Sequence, residues 1–326
     1  MTQTVLVTGG AGFVGSHACK ALARHGFTPV VYDNLSHGHE DSVRWGPLER
    51  GDILDGARLN EVITAHRPAA VMHFAAFIAV GESVADPGKY YRNNVAGALN
   101  LIEAARDHRI GAFVFSSTAA VYGIPDHVPI PESASKQPIN PYGQSKWMVE
   151  CMLRDFAAAH GLKSTALRYF NAAGADPDCE TGERHDPETH LIPLALDAAA
   201  GIGKPLTVFG EDYPTADGTC IRDYIHVADL AEAHVAALRA MLGGADSNAY
   251  NLGTGNGFTV RQVIDAVERA TGRPVPHGIG PRRAGDPAAL VADPSAANRD
   301  LGWRPVMSDL NSIVATAWAW HQKVSG

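Results

Sequence analysis

Cysteine is scarce in this chain. Cys19, Cys151, Cys179 and Cys220 are the four in 326 residues. They are far apart and show no CxxC or other ligand spacing, which excludes a disulfide framework or a cysteine zinc site as the organising device. Charge is also sparse, at 19%, and its balance is acidic, with a net charge of -8. A general nucleic-acid or anionic-membrane partner needs a basic surface, so neither is expected. A small anion held by a few local arginines is not excluded by this balance. No apolar run is long enough to span a bilayer, and the first residues lack the basic and then apolar regions of a secretory signal. Internal repeats and low-complexity linkers are absent too. What is present is 45% apolar residues, enough to build one large domain or two ordinary ones around buried cores.

The first half alternates apolar runs with helical segments. Residues 5–7, 29–32, 70–76, 112–116 and 164–168 read as buried parallel strands, because they are continuous apolar or β-branched runs. Residues 15–25, 58–67, 93–108 and 141–160 read as helices. Gly26 and Gly161 follow two of them, and Pro141 opens the longest. This alternation predicts βαβ units and a doubly wound α/β sheet of Rossmann type. From about Asn171 the composition turns to Gly, Pro, Asp and Glu, and 172–190 reads as a loop. Helices are expected at 191–200, 228–242 and 260–271, with a strand at 249–252. We therefore expect a nucleotide-binding domain from 1–171 plus roughly 225–255. A smaller α/β substrate domain is expected from 172–224 plus roughly 256–326.

Directly after the first strand stands Thr8-Gly9-Gly10-Ala11-Gly12-Phe13-Val14-Gly15. A helix N-terminus attracts anions, because its first N–H groups lack acceptors and the macrodipole is positive there. Gly9, Gly12 and Gly15 let the chain turn tightly, approach a pyrophosphate and pack the helix on the strand. The strand–turn–helix context supports a dinucleotide site, and the GxxGxxG spacing points to short-chain dehydrogenases. Asp33 ends the second strand, where it can accept from both ribose hydroxyls and repel a 2′-phosphate, so NAD is favoured over NADP. Asp52 in Gly51-Asp52-Ile53 suits an adenine clasp and equally suits a turn-forming acid.

Tyr142 and Lys146 share one helix face at i and i+4. A phenol near pKa ~10 is a poor base at neutral pH. A lysine ammonium and a positive nicotinamide both favour the phenolate, which can then take a hydroxyl proton as hydride leaves the same carbon. Thr118, after Phe113-Val114-Phe115-Ser116-Ser117, supplies a second hydroxyl to orient the substrate. Two histidine groups are set aside. His37-Gly38-His39-Glu40 and His185…Glu188…His190 lie in loops without the helical spacing of a zinc enzyme, so no metal site is predicted. His73, inside an apolar strand, reads as a satisfied core histidine.

These residues resemble the extended short-chain dehydrogenase/reductase family and, within it, the UDP-glucose 4-epimerases. The likeness covers nearly the whole chain. Its landmarks are 5–16, Asp33-Asn34-Leu35, 73–83, 90–95, 141–146, Arg168-Tyr169-Phe170-Asn171, 218–227 and 250–253. The blocks Asp223-Tyr224-Ile225-His226-Val227 and Arg282-Arg283-Ala284-Gly285-Asp286 are the most specific to sugar-nucleotide enzymes. The resemblance implies a C4 epimerase of UDP-hexoses that retains NAD and works through a 4-keto sugar. It implies an NAD site of Gly9, Gly12, Phe13, Val14, Gly15, Asp33, Asn34, Asp52, Ile53, Phe74, Ala75, Ala76, Asn93, Ser116, Tyr142, Lys146 and Phe170. The implied UDP-sugar site comprises Thr118, Tyr142, Asn171, His190, Leu191, Thr207, Phe209, Arg222, Arg283, Asp286 and Leu290. Arg282 reads instead as a surface ion pair.

Three positions depart from well-known bacterial members. Ile78 replaces a lysine near the cofactor, His190 an asparagine, and Leu290 a tyrosine at the hexose wall. The smaller Leu290 leaves room at C2, so activity on UDP-N-acetylglucosamine is expected too. UDP-pentose and UDP-uronate substrates stay open. Ala119-Ala120 stand where a related dehydratase carries an Asp-Glu pair, which argues against water elimination. A non-catalytic NAD-binding regulator is the alternative of a different class, and the intact Thr118, Tyr142 and Lys146 argue against it. The resemblance also implies a cytoplasmic homodimer, paired through helices 93–108 and 141–160 with Leu99, Trp147 and Cys151 facing outward.

Overall fold

The computed structural model describes residues 2–283 and 285–325. Ala284 of the 282–286 block lies outside the described residues. The chain begins with β1 (Thr4–Thr8), α1 (Phe13–Arg24), β2 (Thr28–Asp33), β3 (Leu48–Arg50), α2 (Gly56–His66) and β4 (Ala70–His73). Next come α3 (Val80–Ala85), α4 (Pro87–Tyr90) and α5 (Ala98–Asp107), the last two joined by a π-helical turn, Tyr91–Gly97. β5 (Ala112–Thr118), α6 (Pro141–His160), β6 (Ser164–Tyr169) and β7 (Asn171–Ala173) lead into α7 (Leu191–Ala200). The remainder holds β8 (Leu206–Phe209), β9 (Ile221–Arg222), β10 (Tyr224–His226), α8 (Val227–Leu242), β11 (Asn248–Leu252) and β12 (Phe258–Thr259). It ends with α9 (Val260–Thr271), β13 (His277–Gly280), β14 (Ala289–Leu290), α10 (Ser295–Asp300) and α11 (Leu310–Ser325).

Seven strands form one parallel sheet in the order β11-β6-β5-β4-β1-β2-β3. Both faces are covered, which is why its strands are continuously apolar rather than alternating. Val5 and Val7 face a core shared with α1 and α8, while Leu6 faces a second core built with α2, α5 and α6. Strand order reverses between β1 and β4, so the crevice at their C-terminal ends is the switch point where such sheets bind nucleotides. Thr8 and His73 lie side by side there and share a 2.7 Å hydrogen bond. His73 is thus the satisfied core histidine that its strand context implied.

A separate core joins α7, α9, α11 and β8, with Ile192, Leu196, Val263, Ile264, Ile313 and Val314 buried in it. Part of the late chain returns to the sheet side. Ala297 and Trp303 pack in the core of α1 and α8, and Trp303 donates from Nε1 to Asp229 O at 2.8 Å.

The expected elements need several corrections. The strand expected over 70–76 stops at His73, because Phe74 and Ala75 both donate their N–H to Thr8 O and leave the ladder. Helix 58–67 ends one residue earlier, with Arg67 in the left-handed region at φ 46°. Helix 93–108 is continuous with helical turns from Pro87. The loop over 172–190 contains part of β7. Trp147 is not simply outward. It packs half-buried on Ala119, Val121, Tyr122 and Ile130, and Leu99 and Cys151 are half-buried as well. Among the described residues no helix is long and apolar enough to cross a membrane.

The sheet side and the α7–α9–α11 side meet at Asp223. Its side chain is fully buried and accepts from Thr254 N (2.9 Å), Thr254 Oγ1 (2.7 Å), Gly255 N (3.3 Å) and Ala292 N (3.1 Å). Its carbonyl accepts both Asn171 N–H groups, main-chain and side-chain. Replacing the carboxylate leaves these buried donors unpaired, which costs about 1–3 kcal/mol for each one that cannot reach water. Asp223→Ala is therefore expected to destabilise the protein by about 2–4 kcal/mol. Thermal melting should read this as a fall of several degrees, and an unchanged melting temperature would refute the joint.

Candidate active site

The glycine turn is shaped by close approach. Gly9 has φ +74°, and a Cβ there would lie 2.5 Å from Ala75 N. A Cβ on Gly15 would lie 2.2 Å from Gly9 O, so only glycine lets α1 start against the turn. Gly12 differs from both, because its added Cβ would meet nothing nearer than Gly9 O at 3.4 Å. Its missing side chain leaves open room over the helix N-terminus, which has no side-chain cap. An uncapped N-terminus with that room above Phe13, Val14 and Gly15 fits a pyrophosphate.

Asp33 closes the adjacent side. Its Oδ2 accepts from Ala11 N at 3.0 Å and its Oδ1 from Leu35 N at 2.8 Å. Burial raises its pKa, and the two backbone N–H groups oppose that. The carboxylate therefore braces the turn and keeps lone pairs free for ribose hydroxyls. Asn34 donates to Asp52 Oδ2 at 2.9 Å, and Asp52 Oδ1 accepts from Leu54 N at 2.8 Å, so Asp52 serves its turn as well. Ile53 is buried against Gly97 in the π-helical turn. Phe74, Ala75 and Ala76 lie on the segment leaving β4, where the Phe74 ring meets His234 of α8 at 4.8 Å.

Thr118 ends β5, and its Oγ1 accepts from Ala120 N at 3.1 Å, starting a short 3-10 turn, Ala119–Tyr122. That turn seats the start of α6: a Cβ on Gly143 would lie 2.6 Å from Ala120 O. Asn140 caps α6 by accepting from Gly143 N at 2.8 Å. Tyr142 therefore arrives beside Thr118. Burial pushes its phenol pKa up, and the Thr118 hydroxyl opposes this. Lys146, one turn on, donates to Ser116 O at 2.8 Å. Burial brings its pKa down to about 7, opposed by the charge of Glu150.

The buried groups around this pair escaped the sequence reading. Glu150 accepts from Ser117 Oγ at 2.5 Å and from Arg168 Nε at 2.9 Å. Arg168 also reaches Tyr122 Oη at 2.9 Å. The Tyr169 hydroxyl is hydrogen-bonded to Ser116 Oγ. Asn93 donates to Asn94 Oδ1, and Asn94 in turn holds both Phe77 N and Phe77 O at 2.9 Å while reaching Ser145 Oγ at 3.2 Å. Asn94 thus ties the Phe77 segment to α6 beside Lys146. Its place in the 90–95 landmark beside Asn93 was the sequence signal for it, though no role was read there.

The residues expected to hold a substrate fall into smaller groups. Leu290 pairs opposite Arg222 across β14 and β9. Leu290 and Phe170 both pack on the Ala119–Tyr122 turn that follows Thr118. Arg222 donates to Ile221 O at 2.7 Å and is ion-paired with Asp286. Arg283 stacks over Phe209, 4.1 Å from the ring centre. Thr207 is exposed on β8. Arg282 pairs with Asp212 on the surface and stacks over Tyr213, in line with a structural role. The Asn171 amide is engaged with Asp223 O at 3.0 Å. Leu191 opens α7, and His190 before it faces Glu183 and Glu188. Burial works against charge on the His190 ring, yet the two carboxylates override it and raise its pKa to about 10.

A sequence model described as the NAD dependent epimerase/dehydratase family matches residues 5–253. The chain belongs to that family. It is 56% identical to a UDP-glucose 4-epimerase of Rhizobium meliloti over 98% of both chains. It superposes on the crystal structure of UDP-glucose 4-epimerase from Brucella ovis in complex with NAD, with a TM-score of 0.96, 55% identity and 98% of both chains covered. The UDP-glucose 4-epimerase from Bifidobacterium longum in complex with NAD+ and UDP is similar as well, with a TM-score of 0.93, 39% identity and 98% coverage of each chain.

In this epimerase/dehydratase family member, Asp33 braces the glycine turn from inside the crevice. Asp33→Ala frees the N–H groups of Ala11 and Leu35 and is expected to reduce the dinucleotide retained through gel filtration, read by absorbance and mass spectrometry. Retention equal to the parent would rule out the bracing role.

Proposed function

We propose that the chain interconverts UDP-glucose and UDP-galactose by inverting C4, with NAD held throughout the cycle. The observation that carries this reading is Thr118, Tyr142 and Lys146 at the C-terminal edge of the sheet that also carries the Gly9–Gly15 turn. Likeness to UDP-glucose 4-epimerases over nearly the full chain supports the substrate. NAD bound against Gly12, Asp33, Asn34 and Asp52 supplies the hydride acceptor and donor. Tyr142 takes the proton of the sugar 4-hydroxyl and later returns it. Burial alone would keep its phenol protonated, so the positive charges beside it are what make it a base. Lys146 supplies one of them, and Thr118 orients the hydroxyl.

The uridine diphosphate end is assigned to Asn171, His190, Leu191, Thr207, Phe209, Arg222, Arg283 and Asp286. Arginine forks bind diphosphate oxygens with charge-assisted hydrogen bonds. Holding the nucleotide while leaving the sugar loose lets both faces of C4 be presented, so binding energy is placed away from the reacting carbon. In this division, 1–171 plus roughly 225–255 hold NAD, and 172–224 plus roughly 256–326 hold the UDP-sugar. Ala119 and Ala120 offer no acid for water elimination. We place a homodimer contact on α5 and α6, where Met148 is exposed. The unpaired cysteines suit a cytoplasmic protein.

Tyr142→Phe is expected to lower conversion of UDP-galactose to UDP-glucose by about 10²–10⁴-fold while NAD stays bound. Near-normal turnover would overturn the role of Tyr142. Leu290 beside the Ala119–Tyr122 turn leaves space at the sugar, which supports turnover of UDP-N-acetylglucosamine as well. Leu290→Tyr should abolish that activity and spare UDP-galactose. A parent enzyme inactive on the N-acetylated sugar would remove the basis of the idea.

A further inference from the structure

The loop running into α7 folds two histidines and two glutamates onto one point. Glu183, His185, Glu188 and His190 each offer a donor atom, and these atoms all lie within 4.8 Å of one another. His190 Nδ1 is 2.8 Å from Glu183 Oε1 and 3.1 Å from Glu188 Oε1. His185 Nδ1 is 3.3 Å from Glu183 Oε1 and 3.5 Å from Glu188 Oε2. Of the four approaches, only His190 to Glu188 has the alignment of a hydrogen bond. His185 Nδ1 is buried and makes none. His185 Nδ1 is thus a buried nitrogen within reach of two carboxylates and without a hydrogen bond to either.

A metal ion would draw such donors to a narrower range. With bonds of about 2.0–2.2 Å, tetrahedral nitrogen and oxygen ligands stand roughly 3.3–3.6 Å apart. The two His185 approaches, 3.3 and 3.5 Å, match that spacing, and the two His190 approaches, 2.8 and 3.1 Å, are shorter and would open on binding. We propose that Glu183, His185, Glu188 and His190 form a site for a divalent transition-metal ion, with Zn²⁺ as the best fit. Two imidazoles disfavour Mg²⁺ and Ca²⁺, and the absence of thiolate disfavours the softest ions. The Glu183 and Glu188 side chains are only 8% and 14% exposed, so a dication would replace the imidazole protons that these two desolvated acids otherwise favour. Thr189 N and His190 N donate to Glu188 Oε1 at 2.7 and 2.8 Å, fixing that carboxylate as outer-shell contacts do. The ion would clamp 183–190 onto the first turn of α7, apart from the redox chemistry. The His185 and His190 spacing lacks the helical i, i+4 form, which is why sequence reasoning passed over it.

The test uses holoenzyme stripped with a chelator and then titrated with Co²⁺ and Zn²⁺. One equivalent per chain is expected, with a tetrahedral Co²⁺ absorption band that Zn²⁺ displaces. His185→Ala and Glu183→Gln should each remove the band and weaken Zn²⁺ binding by at least about 100-fold. Asp178→Asn, in the separate acidic group around Lys20, should leave stoichiometry unchanged. Circular dichroism and NAD content report whether each variant folds. X-ray absorption of the Zn²⁺-loaded parent needs no variant and should show two imidazoles with oxygen ligands. Failure of the parent to bind one equivalent, binding that survives both substitutions, or a shell without imidazole overturns the proposal.

Discussion

The buried carboxylate of Asp223 joins segments that are remote in sequence. Its side chain gathers the turn after β11 and the start of the segment after β14, while its main chain pairs with Asn171 and Leu290. A Cβ on Gly253 would lie 2.4 Å from Asp223 Oδ2, so the chain passes the carboxylate as closely as a glycine permits. Together with Asp229, which holds Trp303, Val306, Met307 and Ser308, this joint ties the late chain to the sheet side. The Asp223-Tyr224-Ile225-His226-Val227 block looked like a mark of sugar-nucleotide chemistry. Its first residue acts through architecture, by saturating buried backbone donors rather than by touching a ligand.

A second constraint is electrostatic. Tyr142, Lys146 and Glu150 recur every four residues along α6 and so share one face, turned to β5 and β6. Burial disfavours charge on Tyr142 and Lys146. Arg168 balances Glu150, and the charge of Glu150 opposes the burial of Lys146. This chain of alternating charge runs from Arg168 to Lys146, and removing an inner member leaves a buried charge without its partner.

Much of this was legible in sequence where the signals are local. Helix 141–160 carried its Pro141 and Gly161 stops, and the observed bounds agree with it, as they do for 191–200 and 260–271. The glycine turn, Asp33 and the Tyr142/Lys146 pair were readable from spacing taken together with the strands and helices that flank them. Strands of two or three residues such as β9, β12 and β14 have no period to detect. The helix Leu310–Ser325 buries only Leu310, Ile313, Val314 and Trp320, a stripe too sparse to stand out. Asn94, Glu150 and Arg168 matter through partners 17 or more residues away. The π-helical turn likewise leaves no composition signal, although such turns often mark functional positions.

The two arginines proposed for the diphosphate are already anchored. Arg222 rests on Asp286 and the Ile221 carbonyl, and Arg283 lies flat on Phe209. A long, flexible side chain that must be frozen by its ligand charges that ligand about 0.5–1.5 kcal/mol in lost rotamers. Here the folding of the protein has met that expense beforehand. A guanidinium with five N–H groups can keep its acidic neighbour and still offer hydrogens to a diphosphate. A nucleotide held as proposed would therefore meet a socket set before it arrives, and its remaining freedom would lie in the sugar.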